Sequence, residues 1–120
     1  MPMSVTLSLL VIGAIHLLPV LGVLGPERLQ RLYGLPFEDT NLVLLMRHRA
    51  VMFGLLGVFQ IIAIWSPTLQ ATALCAGLLS AASFVALGAS GSYNAQLRRV
   101  IVADVVAVIA ALVGLASLPQ

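Results

Sequence analysis

Four long apolar runs follow one another with only short polar breaks, at about residues 5–25, 42–65, 68–89 and 97–118. A run of about 20 apolar residues crosses the hydrocarbon core of a bilayer when it is helical. Lipid offers nothing to bond with exposed N–H and C=O groups, and a helix satisfies them within one segment. The pattern therefore predicts an all-α membrane protein. It is a four-transmembrane-helix bundle formed by a single domain over residues 1–120, with short turns and almost nothing outside the lipid. Charge supports this reading. The chain carries six basic and four acidic residues among 120, and 61% of it is hydrophobic, whereas a soluble domain has about a quarter of its residues charged. The period-2 alternation of a transmembrane barrel is absent. The opening Met-Pro-Met-Ser-Val-Thr lacks the basic region of a secretory signal, so the first run reads as a retained span.

The breaks have structure of their own. Pro26 at a first helical position, a Glu27–Arg31 pair at i,i+4 and a closing Gly34 predict a short interfacial helix between helices 1 and 2. Its Leu29, Leu32 and Tyr33 are expected to lie on the membrane surface. Pro36 ends it, and Asp39, Thr40 or Asn41 can cap the second span. Ser66 and Pro67 mark a tight turn, Ser66 as N-cap and Pro67 as first helical residue, beside an interfacial Trp65. Pro19 is expected to bend the first span. Cys75, the single cysteine, has no disulfide partner in the chain and reads as a small hydrophobe.

All basic residues are arginines: 28, 31, 47, 49, 98 and 99. Four antiparallel spans place every one of them on the side of the 26–40 segment and the 88–96 turn. The positive-inside rule assigns that side to the cytoplasm, with both termini extracytoplasmic. Arginines grouped at helix ends also account for the net charge of +2 without nucleic acid as a partner.

Ionisable groups inside a membrane are costly and mark candidate sites. His16 lies about 13 Å from the cytoplasmic end of span one, and Asp104 about 10 Å below Leu97. Arg47, His48 and Arg49 lie at similar depth in span two. Asp104, Ala107, Ala111 and Gly114 share one helical face, as do Arg47, Ala50, Gly54 and Gly57 on span two. Small residues mark faces of close helix approach, so Arg47 and Asp104 are expected to pair across a helix contact. Ala76, Ser80 and Ser83 share a face of span three that can line the same space. The candidate catalytic pair is His16 and Asp104, as proton donor and acceptor. The candidate ligand-binding set is Arg47, His48, Arg49, Ser80, Tyr93 and Asn94. Tyr93 also reads as a headgroup anchor and Asn94 as a helix cap, and the Arg47-His48-Arg49 cluster also reads as a headgroup anchor. Two His and one Asp on three helices are too sparse for a metal site.

The runs Ile12-Gly13-Ala14-Ile15-His16-Leu17-Leu18-Pro19, Arg28-Leu29-Gln30-Arg31-Leu32-Tyr33-Gly34, Met46-Arg47-His48-Arg49-Ala50 and Tyr93-Asn94-Ala95-Gln96-Leu97-Arg98-Arg99 with Asp104 are similar to those of small four-helix bacterial inner-membrane proteins. The likeness covers nearly the whole chain. In broad build the group resembles DoxX-like and EXPERA-type proteins. Some of its sequences carry the label phosphopantetheine adenylyltransferase, a soluble α/β enzyme with a His-x-Gly-His motif, and this chain has neither that composition nor that motif. The resemblance implies a multi-pass protein of the bacterial inner membrane and supplies no mechanism.

The leading expectation is a polar site in the cytoplasmic half of the bundle, binding or isomerising a small lipid-like or amphipathic molecule. Membrane lipids and a hydrophobic small-molecule ligand are then its partners, and a homo-oligomer stays open. No cofactor is required. A b-type haem held by His16 and His48 is a second reading of the same residues. The four spans would equally suit a membrane assembly or structural protein, or a small transporter subunit.

Overall fold

The computed structural model describes residues 2–119. Helix α1 spans Met3–Leu17 and runs directly into a 3-10 helix, Leu18–Leu24. Then follow α2 (Pro26–Tyr33), α3 (Thr40–Ala63), α4 (Pro67–Gly88) and α5 (Ala95–Ala116). Span one, α3, α4 and α5 are each long and apolar enough to cross a membrane. Each long helix packs beside two others: α1 on α3 and α5, and α4 on α3 and α5. The four form a ring of antiparallel helices in which α3 and α5 stand on a diagonal and form no packed interface with each other. The protein is an all-α, four-helix, multi-pass membrane protein.

Its packing is that of a membrane bundle. Leu44, Leu55, Leu79, Leu87, Val102 and Ile109 are exposed, which forms an apolar belt that suits lipid and would be costly in water. The buried faces carry small residues. Those of α5 are Asp104, Ala107, Ala111 and Gly114, the face predicted from the sequence. On α3, Ala50 and Gly57 are buried. Gly13 and Gly57 bring α1 and α3 together almost backbone to backbone: a Cβ on Gly57 would lie 3.1 Å from the Gly13 carbonyl oxygen and 2.7 Å from Leu17. Such approach supplies the van der Waals contact that holds helices together where lipid removes the hydrophobic drive. At the end that carries the termini, Val5, Leu9, Ile12, Ala63, Ala73, Leu74 and Ala111 form a dense core.

The other end is built differently, and Pro19 is the reason. Proline has no N–H and its ring collides with the carbonyl four residues back, so an α-helix cannot continue through it unchanged. The chain tightens into a 3-10 helix whose seven residues cover about 14 Å, against about 10 Å in an α-helix. This segment leans onto α3 and is not packed on α5. Val20 fills the space above Gly54, and Arg47 Nε donates to the Val23 carbonyl at 2.8 Å, securing the end of the segment.

Helix α2 begins with Pro26 at its first turn and ends at Gly34, whose φ of 69° is the left-handed cap that glycine accepts at little cost. The expectation for its apolar side is corrected. Leu29 and Tyr33 are buried against Phe37 and flanked by Met46, Leu97 and Val100, so this face packs on protein and not on the membrane surface. It packs there beside the 3-10 segment of span one. Glu27 and Arg31 do not close an ion pair among the described residues. Asp39 caps α3 by accepting from Asn41 N–H at 2.8 Å. Pro67 opens α4 as expected, whereas the Ser66 side chain makes no capping bond.

Candidate functional site: a cavity between span one and helix α5

Where the 3-10 segment leans away from α5, a cavity of about 280 Å³ opens. Ile15, Leu18 and Pro19 form one wall, and Val100, Ala103 and Asp104 of α5 form the other. Leu32 and Tyr33 of α2 cover its water end, and Arg49 and Phe53 of α3 form its back. Arg31, Gln96 and Arg99 stand at the rim. Span one and α5 are neighbours in the ring, so the gap between them faces lipid on its outer side.

The cavity wall is mostly apolar, with two charged groups at depth. Asp104 is only 6% exposed and lines the cavity, yet its carboxyl makes no hydrogen bond or ion pair with the described residues. A buried carboxyl without a hydrogen bond is costly. Arg49 is held by aromatic rings. Its guanidinium carbon lies 4.4 Å from the Phe53 ring centroid, 5.3 Å from Tyr33 and 5.6 Å from Phe84, and its Nη1 donates to the Tyr33 hydroxyl. Cation–π contacts of this kind stabilise a partly desolvated guanidinium. Burial pushes the Tyr33 hydroxyl above its ordinary pKa, and Arg49 beside it pulls the other way. The remaining Arg49 donors have no partner among the described residues. Arg49 and Asp104 thus face one cavity without closing on each other.

The expected Arg47–Asp104 pair is corrected. These residues sit on the diagonal helices, and Arg47 is exposed and bonded to Val23. Two positions along the helix change the face, and Arg49 is the arginine that reaches the cavity. His48 is exposed and lies outside the cavity wall, so it does not converge with His16. His16 is buried to 1% between α1 and α4, with Phe53 on its flank at 5.6 Å between ring centroids. Its Nδ1 lies 2.8 Å from the Ile12 carbonyl and its Nε2 2.9 Å from Ser80 Oγ. A carbonyl only accepts, so Nδ1 carries the proton, and the neutral ring accepts at Nε2 from the Ser80 hydroxyl. Both nitrogens are occupied, and His16 and Ser80 stand outside the cavity.

Tyr93 borders a separate apolar recess with Phe84, Leu87 and Ile101. Asn94 caps α5 by accepting from Leu97 N–H at 2.8 Å and donates to the Tyr33 carbonyl at 2.9 Å. It thereby clasps α2 to the turn before α5. Ser83 is exposed. The sequence reading missed Tyr33, Phe53 and Phe84 as the seat of Arg49, and Arg31, Gln96 and Arg99 as the rim. Arg49 and Phe53 at i,i+4 and the step from Arg99 to Asp104 were the available signals. No cluster of three or more His, Cys, Asp or Glu suited to a metal occurs among the described residues. No protein-family model matches the chain, and no curated protein or solved structure does either.

Proposed function

We propose that the protein sits in the bacterial inner membrane with both termini outside the cytoplasm and binds a small amphipathic molecule in the cavity between span one and α5. The polar head of the ligand meets Arg49 and Asp104, and its apolar part leaves through the lipid-facing gap beside Leu18 and Val100. The observation that carries this reading is Asp104: a buried carboxyl on the wall of an open cavity, facing Arg49 but with no hydrogen bond or ion pair among the described residues. Nothing in the packing of α5 requires a charge there, and a Leu at that position would insert at lower cost. The arginines at the α2 end support the orientation. The reading is one of binding. Acid–base conversion needs a second proton-carrying group beside Asp104, and His16 has both nitrogens engaged elsewhere.

Native mass spectrometry of the purified protein tests this. The wild type is expected to retain one amphiphile per chain. Ala103→Trp, which fills the cavity from its α5 wall, is expected to lose it while melting at or above the wild-type temperature. Equal occupancy in both proteins would place the ligand elsewhere.

A further inference from the structure

Charge is distributed along the cavity at two levels, and together they describe the occupant more closely. This rests on the cavity being a ligand site. At the rim, Arg31 from α2 and Arg99 from α5 are exposed, and neither has a hydrogen bond or ion pair among the described residues. Asp104 lies five residues further in, about 7.5 Å from Arg99 along the axis, and lines the same cavity as Arg49. Three arginines and one aspartate leave the cavity with an excess of two positive charges, which a phosphate monoester of about −2 neutralises. Guanidinium groups bind phosphate through paired N–H donors.

The deeper level calls for a different group. A second anion there would meet the Asp104 carboxylate. A hydroxyl donates and accepts at once, so it can give its hydrogen to Asp104 and accept from Arg49. The cavity, about 280 Å³, takes a small polar head and a few carbons, and the chain continues into the lipid-facing gap. On a glycerol phosphate, keeping one hydroxyl free leaves a single position for an acyl ester. We propose that the occupant is a single-chain amphiphile with a phosphate monoester held by Arg31 and Arg99 and a free hydroxyl a few bonds away, placed between Arg49 and Asp104.

The test compares four probes by native mass spectrometry on the detergent-solubilised full chain. They are 1-oleoylglycerol 3-phosphate, its analogue without the free hydroxyl, 1-oleoylglycerol, and glycerol 3-phosphate. The first is expected to be retained roughly tenfold better than the second, the ratio set by one hydrogen bond to a charged group, and by at least as much over the third, which lacks the phosphate, and glycerol 3-phosphate is expected to bind weakly. Arg31→Gln with Arg99→Gln should abolish the preference over 1-oleoylglycerol, and Asp104→Leu the preference over the analogue lacking the hydroxyl. Equal retention of 1-oleoylglycerol, blocked by Ala103→Trp, overturns the phosphate assignment and leaves the cavity as a site for a neutral amphiphile. Glycerol 3-phosphate binding as well as its acyl derivative overturns the lipid source. Retention of every probe unaffected by Ala103→Trp overturns both the assignment and the site.

Discussion

Asp104 and Arg49 illustrate how far residue chemistry could be read before the fold was known. The buried face of α5, from Asp104 to Gly114, was legible because small residues recur at helical spacing and one carboxylate interrupts an apolar run. The arginine that faces Asp104 was not legible, since Arg47 and Arg49 are two positions apart and point about 200° apart around a helix. The rotation of α3 about its own axis decides between them, and no single-helix pattern encodes that rotation. Gln60 is a second informative residue. It is fully buried, and neither amide atom has a hydrogen-bond partner among the described residues. It packs so closely on α4 that a Cβ on Gly77 would lie 2.7 Å from Gln60 Nε2. A buried polar group left unsatisfied costs about 1–3 kcal/mol. Gln60→Met, which keeps the volume and removes the amide, is therefore expected to raise the melting temperature in detergent without altering ligand occupancy. A lower melting temperature would mean that Gln60 is satisfied in solution and contributes to the fold.

At the scale of elements, the bend at Pro19 creates the site. Proline made a bend predictable, but its direction was not. The segment leans onto α3 because Gly54 leaves room for Val20 and Arg47 holds the Val23 carbonyl. Both are long-range facts that the sequence of span one does not contain. Helix α2 was recognised by its Pro26 and Gly34 ends, whereas its burial against Phe37 and beside the 3-10 segment is tertiary packing that those ends do not encode. Pro19→Ala restores the missing N–H and permits a continuous α-helix, which shortens the segment by about 4 Å over its length. The variant is expected to keep or gain thermal stability and to lose most of its bound amphiphile. Full retention in a stable Pro19→Ala protein would show that the cavity does not depend on the 3-10 segment.

For the molecule as a whole, composition alone settled the architecture. Apolar runs of membrane length, nearly free of charge, fold in few other ways, and the ring of antiparallel helices follows from the short turns between them. Orientation belongs to this scale too. All the arginines stand at the end formed by α2 and the 88–96 turn, so a reporter fused to the C-terminus is expected to read as extracytoplasmic, and a cytoplasmic signal would move the cavity to the outer leaflet. What composition could not supply was the cavity, which arises where four elements fail to fill space. Its occupation by an amphiphile is the central claim. The most direct measurement is photolabelling of the protein in vesicles that contain a monoacyl glycerol phosphate with a diazirine in its chain, followed by peptide mapping. Binding in the cavity predicts labelling at Phe53 and Ala103 that saturates and is competed away by unlabelled probe, above a non-saturable background at outward-facing residues such as Leu44 and Val102. Labelling confined to the outward-facing residues, with no competition, would contradict it.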